Sequence, residues 1–277
     1  MTATATSHRA DPLADAHVTF PRVLRSEWIK FTSLRSTIWT IAVTLVVMVG
    51  FSALMAWGMS FAAEAPDGQG PPAADGSTMG AVAVVTSYGL AQIVMAVWGV
   101  LVISGEYSTG QIRSTLTAVP TRLPVLAAKG LLVALASFVV GAVGVALSVL
   151  VTAPILSPND MSLDLGDGET VQMLLGVPLY LMAIALLALA IGALVRHSAG
   201  GIAVVLGLII ILPILTTIPL DFIETIAPYF PSTAGERIVQ GENPGAVLTP
   251  WQGYGVFWIY VVVTMTAAAV LLRRRDA

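Results

Sequence analysis

Six long runs of this chain contain no Asp, Glu, Lys, Arg or His, and that feature limits the folds open to it. The runs cover 38–62, 80–103, 130–153, 171–195, 200–220 and 252–272. Each is long enough for an α-helix to cross the hydrocarbon core of a bilayer, which takes about 20 residues. Strands of a membrane β-barrel would be about ten residues long and would alternate apolar and polar side chains. The sequence therefore predicts an all-α membrane protein with six transmembrane helices.

The composition supports the same class. Of the 277 residues, 56% are hydrophobic and 10% are charged, whereas a soluble domain carries about 25% charged residues. The chain has no cysteine, which excludes disulfides, thiol nucleophiles and cysteine-based metal sites. Residues 1–19 are small and polar and lack the apolar core of a signal peptide. We expect them to form a disordered cytoplasmic tail.

The basic residues predict how the six spans are oriented, because cytoplasmic loops carry an excess of Lys and Arg. With the N-terminus inside, 12 of the 13 basic residues fall in cytoplasmic segments, and Arg237 is the exception. Eleven of the 16 acidic residues then fall in the outer loops. We therefore expect a multi-pass protein of the cell membrane with both termini cytoplasmic: a six-helix domain over 38–272, followed by a basic C-terminus at 273–277.

The stretch 104–130, "SGEYSTGQIRSTLTAVPTRLPVLAAKG", connects the second and third runs and is therefore expected on the cytoplasmic side. Ser108 and Gln111 stand three residues apart, as in a capping box. The pattern predicts a short amphipathic helix over about 109–118, ended by Pro120. From the residues alone, such a helix either acts on a partner or only anchors the loop at the membrane surface.

A second amphipathic helix is predicted over 20–37, before the first run. One face is apolar and the other basic, which is typical of a helix lying in the membrane interface. The apolar face holds Phe20, Val23, Leu24, Trp28, Phe31 and Leu34. Glu27 projects from the middle of that face, where a carboxylate is costly unless it is paired. Glu27 either pairs with a neighbouring Arg or Lys, or reaches a partner or the stretch 104–130.

These two segments also resemble a known family. "LRSEWIKFTSLRSTIWT" (24–40) with "GEYSTGQIRSTLTAVPTRLPVLAAK" (105–129) resembles the membrane-spanning permease subunit of ABC-2 type transporters, and most closely the short actinobacterial kind. The matching positions are Glu27, Lys30, Glu106, Gly110, Arg113, Pro120, Arg122 and Lys129. The resemblance implies a type V ABC exporter-like fold, in which an amphipathic helix precedes the first span and a short cytoplasmic coupling helix follows the second.

The resemblance also implies a function and a set of partners. The chain would be the permease subunit of an ATP-driven exporter that moves a hydrophobic or amphiphilic cargo (drug, lipid or peptide) out of the cytoplasm or inner leaflet. A separate ATP-binding cassette subunit would bind ATP and Mg²⁺, and a second permease, identical or similar, would complete the membrane part. Besides membrane lipids no other partner is implied, and nucleic acid is not expected. The residues implied in coupling to the ATPase are Glu106, Gln111, Arg113, Arg122, Glu27 and Lys30.

The chain lacks the sequence of an ATPase of its own. Its only lysines are Lys30 and Lys129, and neither follows the glycine pattern of a phosphate-binding loop. We therefore expect no bound cofactor and no enzymatic activity in this subunit alone. The alternative functions are an ion-coupled secondary carrier or a non-transporting membrane scaffold. Ion coupling normally uses ionisable residues inside the spans, and the six runs contain none, although backbone carbonyls could still bind Na⁺.

A candidate cargo path runs along the second span. Gln92 lies near its middle, and Tyr88 and Thr86 lie about a turn or more before it. The alternative for Gln92 is a hydrogen bond to another helix, a common use of glutamine in membranes.

The sequence also predicts the local structure of two outer loops. The acidic residues Asp160, Asp164, Asp167 and Glu169 do not follow the spacing of an EF-hand, so we expect a solvated loop there. Further along, Thr233 and Glu236 stand in capping-box spacing, which predicts a short outer helix that ends at Gly241.

Overall fold

The computed structural model describes residues 19–63, 76–112, 114, 122–159, 161 and 163–274. Every regular element within these ranges is helical. The main helices are α1 (Phe20–Ser33), α2 (Arg35–Ala63), α3 (Gly76–Val85), α4 (Tyr88–Ser108), α5 (Leu123–Leu156), α6 (Gly168–Val195), α7 (Ser198–Leu206), α8 (Leu212–Leu215), α9 (Asp221–Ile226), α10 (Pro231–Glu236) and α11 (Pro250–Arg274).

Six helical segments are long and apolar enough to cross a membrane, which confirms the all-α membrane class. They are Arg35–Ala63, Met79–Ser108, Leu123–Leu156, Gly168–Val195, Ser198–Leu215 and Pro250–Arg274. Each segment extends past its apolar run at one end or both. Two of these extensions matter for the site: α4 continues to Ser108 and so includes Glu106, and α5 begins at Leu123 and so includes Lys129. The runs are free of charge, but the helices built on them are not.

The fifth span is shorter than its apolar run. The prediction reached residue 220, whereas the helix ends at Leu215 and passes through a π-helical turn at Gly207–Ile211 on the way. Pro213 lies two residues after the end of that turn. Because proline has no N–H to donate and its ring crowds the preceding turn, the regular hydrogen-bond ladder is interrupted here.

Three local predictions were wrong at the residue level. Ser108 does not cap a new helix: it ends α4, and its hydroxyl donates to the carbonyl of Gly105 at 2.9 Å. Thr233 is not a cap either, since α10 begins at Pro231 after Phe230. The helix predicted over 20–37 is two helices, because Leu34 is extended between α1 and α2.

Two predicted segments lie largely or wholly outside the described residues. Of the helix expected over 109–118, only the first residues and Ser114 are described, and Gln111 and Ile112 among them are helical. The tail predicted over 1–19 is described only at Thr19, and the C-terminus only through Arg274.

Helix α6 is the centre of the bundle and is buried along most of its length. It packs against α4, α5 and α11, and small residues let two of these backbones approach closely. A Cβ built on Gly99 of α4 would lie 2.5 Å from the carbonyl oxygen of Ala185 and 2.9 Å from the Cβ of Ala188. A Cβ on Gly192 of α6 would lie 2.9 Å from the Val100 oxygen. The small residues Gly99, Ala188 and Gly192 therefore allow α4 and α6 to pack closely.

The contacts between helices define two ends of the bundle. The basic end contains the C-terminus of α4, the N-terminus of α5 and the C-termini of α6 and α11. The opposite end contains the N-terminus of α6 and the loop before α11. There the side chain of Asp167 accepts hydrogen bonds from the N–H groups of Glu169 and Thr170 as the N-cap of α6. The hydrogen bonds from Thr170 hold the pKa of the exposed Asp167 carboxyl below its usual value.

The close crossing of α4 and α6 can be tested with two glycines of one helix. Gly99→Ala should lower the free energy of unfolding by about 1–3 kcal/mol, because the new methyl overpacks the crossing. Gly89→Ala is the matched control, since a Cβ at Gly89 would meet nothing within 4 Å. The measurement is the midpoint of thermal or denaturant unfolding in detergent. Equal midpoints for the two variants would contradict the crossing.

The orientation is accessible to cysteine labelling because the chain has no native cysteine. Pro244→Cys lies in the exposed loop before α11, and Arg273→Cys lies exposed near its C-terminus. A membrane-impermeant maleimide should label Pro244→Cys in intact cells and Arg273→Cys only after permeabilisation. The reverse pattern would overturn the orientation inferred from the basic residues.

Candidate functional site

Four charged side chains meet at the basic end of the bundle, and we call them the ion cluster: Glu27 and Lys30 of α1, Glu106 of α4 and Lys129 of α5. The Nζ of Lys129 donates to Oε2 of Glu27 at 2.6 Å and to Oε1 of Glu106 at 2.7 Å. The Nζ of Lys30 donates to Oε1 of Glu27 at 2.8 Å and to Oε1 of Glu106 at 3.0 Å. The two carboxylates are thus linked by two ammonium groups.

Apolar contacts on either side hold α1 against the bundle at this level. Val23 of α1 packs against Val125 and Ala128 of α5. One turn beyond the charges, the ring of Phe31 meets the ring of Trp98 of α4 edge-on, with centroids 5.5 Å apart. Glu27 lies between these two contacts on the same face of α1, so the apolar packing brings its carboxylate to α4 and α5.

The ion cluster is buried. Glu27, Glu106 and Lys129 are 4%, 7% and 4% exposed, while the side chain of Lys30 is 24% exposed. A buried charge is stable only when it is paired and hydrogen-bonded. Burial alone would lower the pKa of Lys30, but its hydrogen bonds and charge interactions with Glu27 and Glu106 outweigh burial and raise that pKa. Lys30 is therefore an ammonium group at neutral pH.

One carboxylate oxygen of the ion cluster differs from the other three. Oε1 of Glu106 accepts from both lysines, whereas its Oε2 is buried and has no hydrogen-bond partner among the described residues. Next to Glu106 lies a cavity of about 410 Å³ bounded by α1, α2, α4 and α5. All four members of the ion cluster border this cavity.

Two arginines join the remaining helices at the same end. Arg122 precedes α5 and donates to the carbonyl of Leu272 at 3.1 Å, and Arg196 follows α6 and reaches the carbonyl of Leu271 at 3.5 Å. Both acceptors are in the last turn of α11, where the helix dipole favours cations. Both arginines have φ of 56°, a left-handed conformation that is uncommon outside glycine.

A second polar cluster lies deeper in the bundle, between α4, α6 and α10. The hydroxyl of Tyr180 donates to Oε1 of Gln92 at 2.6 Å. The carboxyl group of Glu236 lies beside the side chains of Tyr88 and Gln92. Gln92 therefore makes a hydrogen bond between two helices, which is the alternative to a role in the cargo path. Thr86 lies at the break between α3 and α4, where its hydroxyl donates to the carbonyl of Val82.

The sequence predictions for these residues had mixed outcomes. The local pairing of Glu27 is confirmed through Lys30, and Glu27 also reaches the stretch 104–130 through Lys129. Gln111 is exposed beside the cavity, and Arg113 lies outside the described residues. Lys129 matches the family pattern, but the sequence analysis predicts no contact for its side chain. The signal that could have identified it was a lysine directly before a long apolar run.

Glu236 is the functional candidate that the sequence analysis missed. Its spacing from Thr233 predicts a capping box in an outer loop, whereas in the structure its side chain lies beside Tyr88 and Gln92. The apolar runs contain no ionisable residue, and this absence weakens the case for an ion-coupled carrier. That absence holds for the runs but does not hold for the folded bundle.

Several other polar side chains cap helices or stabilise the loops before them. The Nδ1 of His197 accepts from the N–H of Gly200 at 3.2 Å and so caps α7. In the acidic loop, Asp164 accepts from the N–H of Gly166 and Asp167 caps α6, while Asp160 lies outside the described residues. Within the part of the chain that the structure describes, no group of three or more His, Cys, Asp or Glu residues could hold a metal ion.

Comparison with known proteins adds no relative. No model of a known protein family matches the chain, and no curated protein matches it in a sequence search. The physical arrangement of the residues therefore carries the functional argument.

The ion cluster predicts a large cost for removing Lys129. Lys129→Met would leave two buried carboxylates facing each other with Lys30 alone, and breaking a buried pair costs about 3–5 kcal/mol. We expect a clear fall in the unfolding midpoint in detergent. Arg25→Met is the matched control, because Arg25 is exposed on α1 and such changes usually stay within about 0.5 kcal/mol.

A double variant separates charge from packing. Adding Glu27→Gln to Lys129→Met removes one of the stranded carboxylates and should recover part of the lost midpoint. If Lys129→Met unfolds at the same temperature as Arg25→Met, the ion cluster does not hold α1 to the bundle.

Proposed function

We propose that this chain is the permease subunit of an ATP-driven exporter of the ABC-2 type. The cargo is hydrophobic or amphiphilic, and it moves out of the cytoplasm or the inner leaflet. The observation that supports this most is the ion cluster, because it ties both ends of the stretch 104–130 to α1. That stretch is the part of the chain that resembles the coupling segment of the family.

The geometry suits transmission of a push from a partner. Glu106 lies in the last turns of α4, just before the stretch leaves the bundle, and Lys129 lies in the second turn of α5, just after it returns. Their 2.7 Å ion pair closes the base of the stretch. A displacement of the segment between them is delivered to α4 and α5 together, and through Glu27 to α1.

Burial assigns different roles to the predicted coupling residues. Glu27 and Glu106 are buried within the chain, so they act as positioning residues beneath the docking surface. Gln111 is exposed, and Arg113 follows it by two residues in the sequence. In this proposal the segment from Gln111 to Arg122 contacts the ATPase, which binds ATP and Mg²⁺.

The membrane surface of the chain fits a two-permease assembly. Large apolar side chains on α2 are strongly exposed, including Ile38 at 61%, Val46 at 71% and Trp57 at 63%. In a bilayer such a surface meets lipid tails or another helix. A second permease, identical or similar, would enclose a path that six helices rarely enclose alone.

An ion-coupled carrier is the second candidate, and one observation favours it. Glu236 places a carboxylate among Tyr88 and Gln92, on the candidate cargo path. Ionisable groups that face the interior of a helix bundle often bind protons or ions in carriers. The requirement for an ATPase separates the two functions: an exporter of the ABC-2 type needs one, and an ion-coupled carrier does not.

The coupling role predicts the effect of reversing one charge. In a complex with the ATP-binding subunit that this proposal requires, Arg113→Glu should abolish cargo-stimulated ATP hydrolysis while the permease still inserts and folds. The reason is that the substitution would place a carboxylate where, in this proposal, a guanidinium group contacts the ATPase. The measurement is ATP turnover of the reconstituted complex with and without cargo.

Arg274→Glu is the matched control, because it makes the same charge change at the basic end outside the stretch, and it should keep stimulated turnover. Normal stimulation in Arg113→Glu would refute the coupling role. Transport driven by an ion gradient without any ATPase would refute the exporter and favour the carrier.

A further inference from the structure

The second polar cluster contains a carboxyl group that has no basic partner among the described residues. Glu236 ends α10, and its side chain is partly buried beside Tyr88 and Gln92 of α4. The ion pairs that join described residues all belong to the ion cluster. Glu236 is therefore an acidic group inside a largely apolar bundle, and no cation of the described residues pairs with it.

Two charged residues at this end of the bundle bind other groups. Arg237 follows Glu236 in the chain, but its Nε donates to the carbonyl of Leu248 and its Nη1 to the side chain of Gln240. Its buried Nη2 has no hydrogen-bond partner among the described residues, so it does not bind Glu236 either. On α6, Glu169 accepts from a backbone N–H of the loop before α11. Neither side chain therefore neutralises the Glu236 carboxyl.

Hydroxyl and amide groups face the carboxyl instead. Tyr88 of α4 and Tyr180 of α6 both lie close enough to interact with Glu236, and their rings meet edge-on with centroids 5.4 Å apart. Oε1 of Gln92 accepts from Tyr180 at 2.6 Å, so the amide nitrogen is the end of Gln92 that can donate. The other elements packed against α10 contribute further tyrosines at this end: Tyr229, Tyr254 and Tyr260.

Close packing of α10 keeps this carboxyl among the spans. A Cβ built on Gly235 would lie 2.7 Å from the ring of Phe257 and 2.9 Å from the ring of Tyr180. A Cβ on Gly253 of α11 would lie 2.5 Å from the carbonyl oxygen of Ala234 in α10. The backbone of α10 thus contacts α6 and α11 directly. The helix cannot carry its terminal carboxyl out to water without losing these contacts.

The environment favours the neutral form of the group. Burial raises the pKa of the Glu236 carboxyl above its ordinary value, and the donors Gln92 and Tyr88 oppose this rise without cancelling it. A proton needs one carboxyl group and no cavity, whereas a hard metal ion needs several oxygen ligands. Within the described part of the chain, no group of three or more His, Cys, Asp or Glu residues could hold a metal ion.

We infer that Glu236 is a proton-binding site, and that loss of its proton weakens the packing of α10 against the bundle. The proton comes from the solution at this end of the bundle, binds one carboxylate oxygen and gives a neutral carboxylic acid. Its release leaves a carboxylate among Tyr88, Gln92 and Tyr180. The inference concerns the isolated chain, and it depends neither on the exporter nor on the ion-coupled carrier.

Infrared spectroscopy of the full chain in detergent tests the site directly, because a protonated carboxyl group has a carbonyl band that a carboxylate lacks. One component of this band should titrate above pH 4.5, the ordinary pKa of glutamate, and Glu236→Gln should lose it. Glu224→Gln is the matched control, since Glu224 is an exposed glutamate of α9, and it should keep the component. Equal spectra of the two variants at every pH would overturn the inference.

The unfolding equilibrium tests the effect on packing. The folded chain binds this proton more tightly than the unfolded chain, so its stability falls as the pH rises from the ordinary pKa of glutamate through the raised pKa of Glu236. Glu236→Gln stays neutral, and its unfolding midpoint should rise relative to that of the unmodified chain over the same window. Each unit of raised pKa corresponds to roughly a tenfold difference in the unfolding constant above the window.

Glu224→Gln again serves as the control, because it removes the same charge from an exposed position. The midpoint of Glu236→Gln should move above that of Glu224→Gln as the pH rises. If the difference between the two midpoints is the same at every pH, ionisation of Glu236 does not act on the fold and the inference is wrong.

A second pair of variants decides if Glu236→Gln does not fold. Tyr88→Phe removes a hydroxyl that favours the ionised carboxyl, so the infrared component should titrate at a higher pH. Tyr229→Phe removes the hydroxyl of a tyrosine that is 45% exposed and should leave the titration unchanged. Identical titrations of these two variants would assign the proton to another group. None of these measurements uses an ATPase, so a failed coupling experiment and a failed proton experiment remain distinguishable.

Discussion

The bonds from one ammonium group to two carboxylates organise the basic end of this protein. Lys129 is almost fully buried, and it is stable there because Glu27 and Glu106 accept from it at 2.6 and 2.7 Å. The carboxylates come from α1 and α4, so the ammonium of α5 keeps three helices at fixed distances. A buried charge cannot change partners at low cost. The ion pair therefore ties the two ends of the stretch between α4 and α5 to each other.

The rest of the bundle is arranged around α6, and its close approaches depend on small residues. Gly99 and Gly192 bring the backbones of α4 and α6 together, because interiors of membrane bundles gain stability from packing and not from exclusion of water. Deeper in the bundle, Gln92 accepts a hydrogen bond from Tyr180 and lies beside Glu236. The molecule therefore has two polar centres in an apolar body, one at the basic end and one among the spans.

These centres connect the two functional arguments. Glu106 lies in the last turn of the helix that leads into the proposed coupling stretch, and the same residue borders the cavity beside the ion cluster. In the proposed function, a partner that moves the stretch would act on this carboxylate. Glu236 belongs to the other centre, and it gives an ion-coupled mechanism its only carboxylate within reach of Gln92 among the described residues.

The sequence alone determined the class of the fold, the number of spans and the position of the amphipathic helix before the first of them. It could do so because a bilayer imposes a length and an absence of charge that are legible in single runs of residues. It also identified the residue types of the ion cluster, since a carboxylate in an apolar face requires a partner. The choice of partners was beyond it.

Only the tertiary structure decided which charges meet. Lys129 lies 102 residues from Glu27 in the chain, and their contact depends on how α1 lies against α5, which Val23 and Phe31 set by packing. The spacing of Glu236 predicts a surface residue, yet α10 places its partly buried side chain beside Tyr88. Periodicity describes one helix at a time, whereas pairing between helices depends on how closely and at what angle their backbones approach, and that is a property of the whole packed bundle.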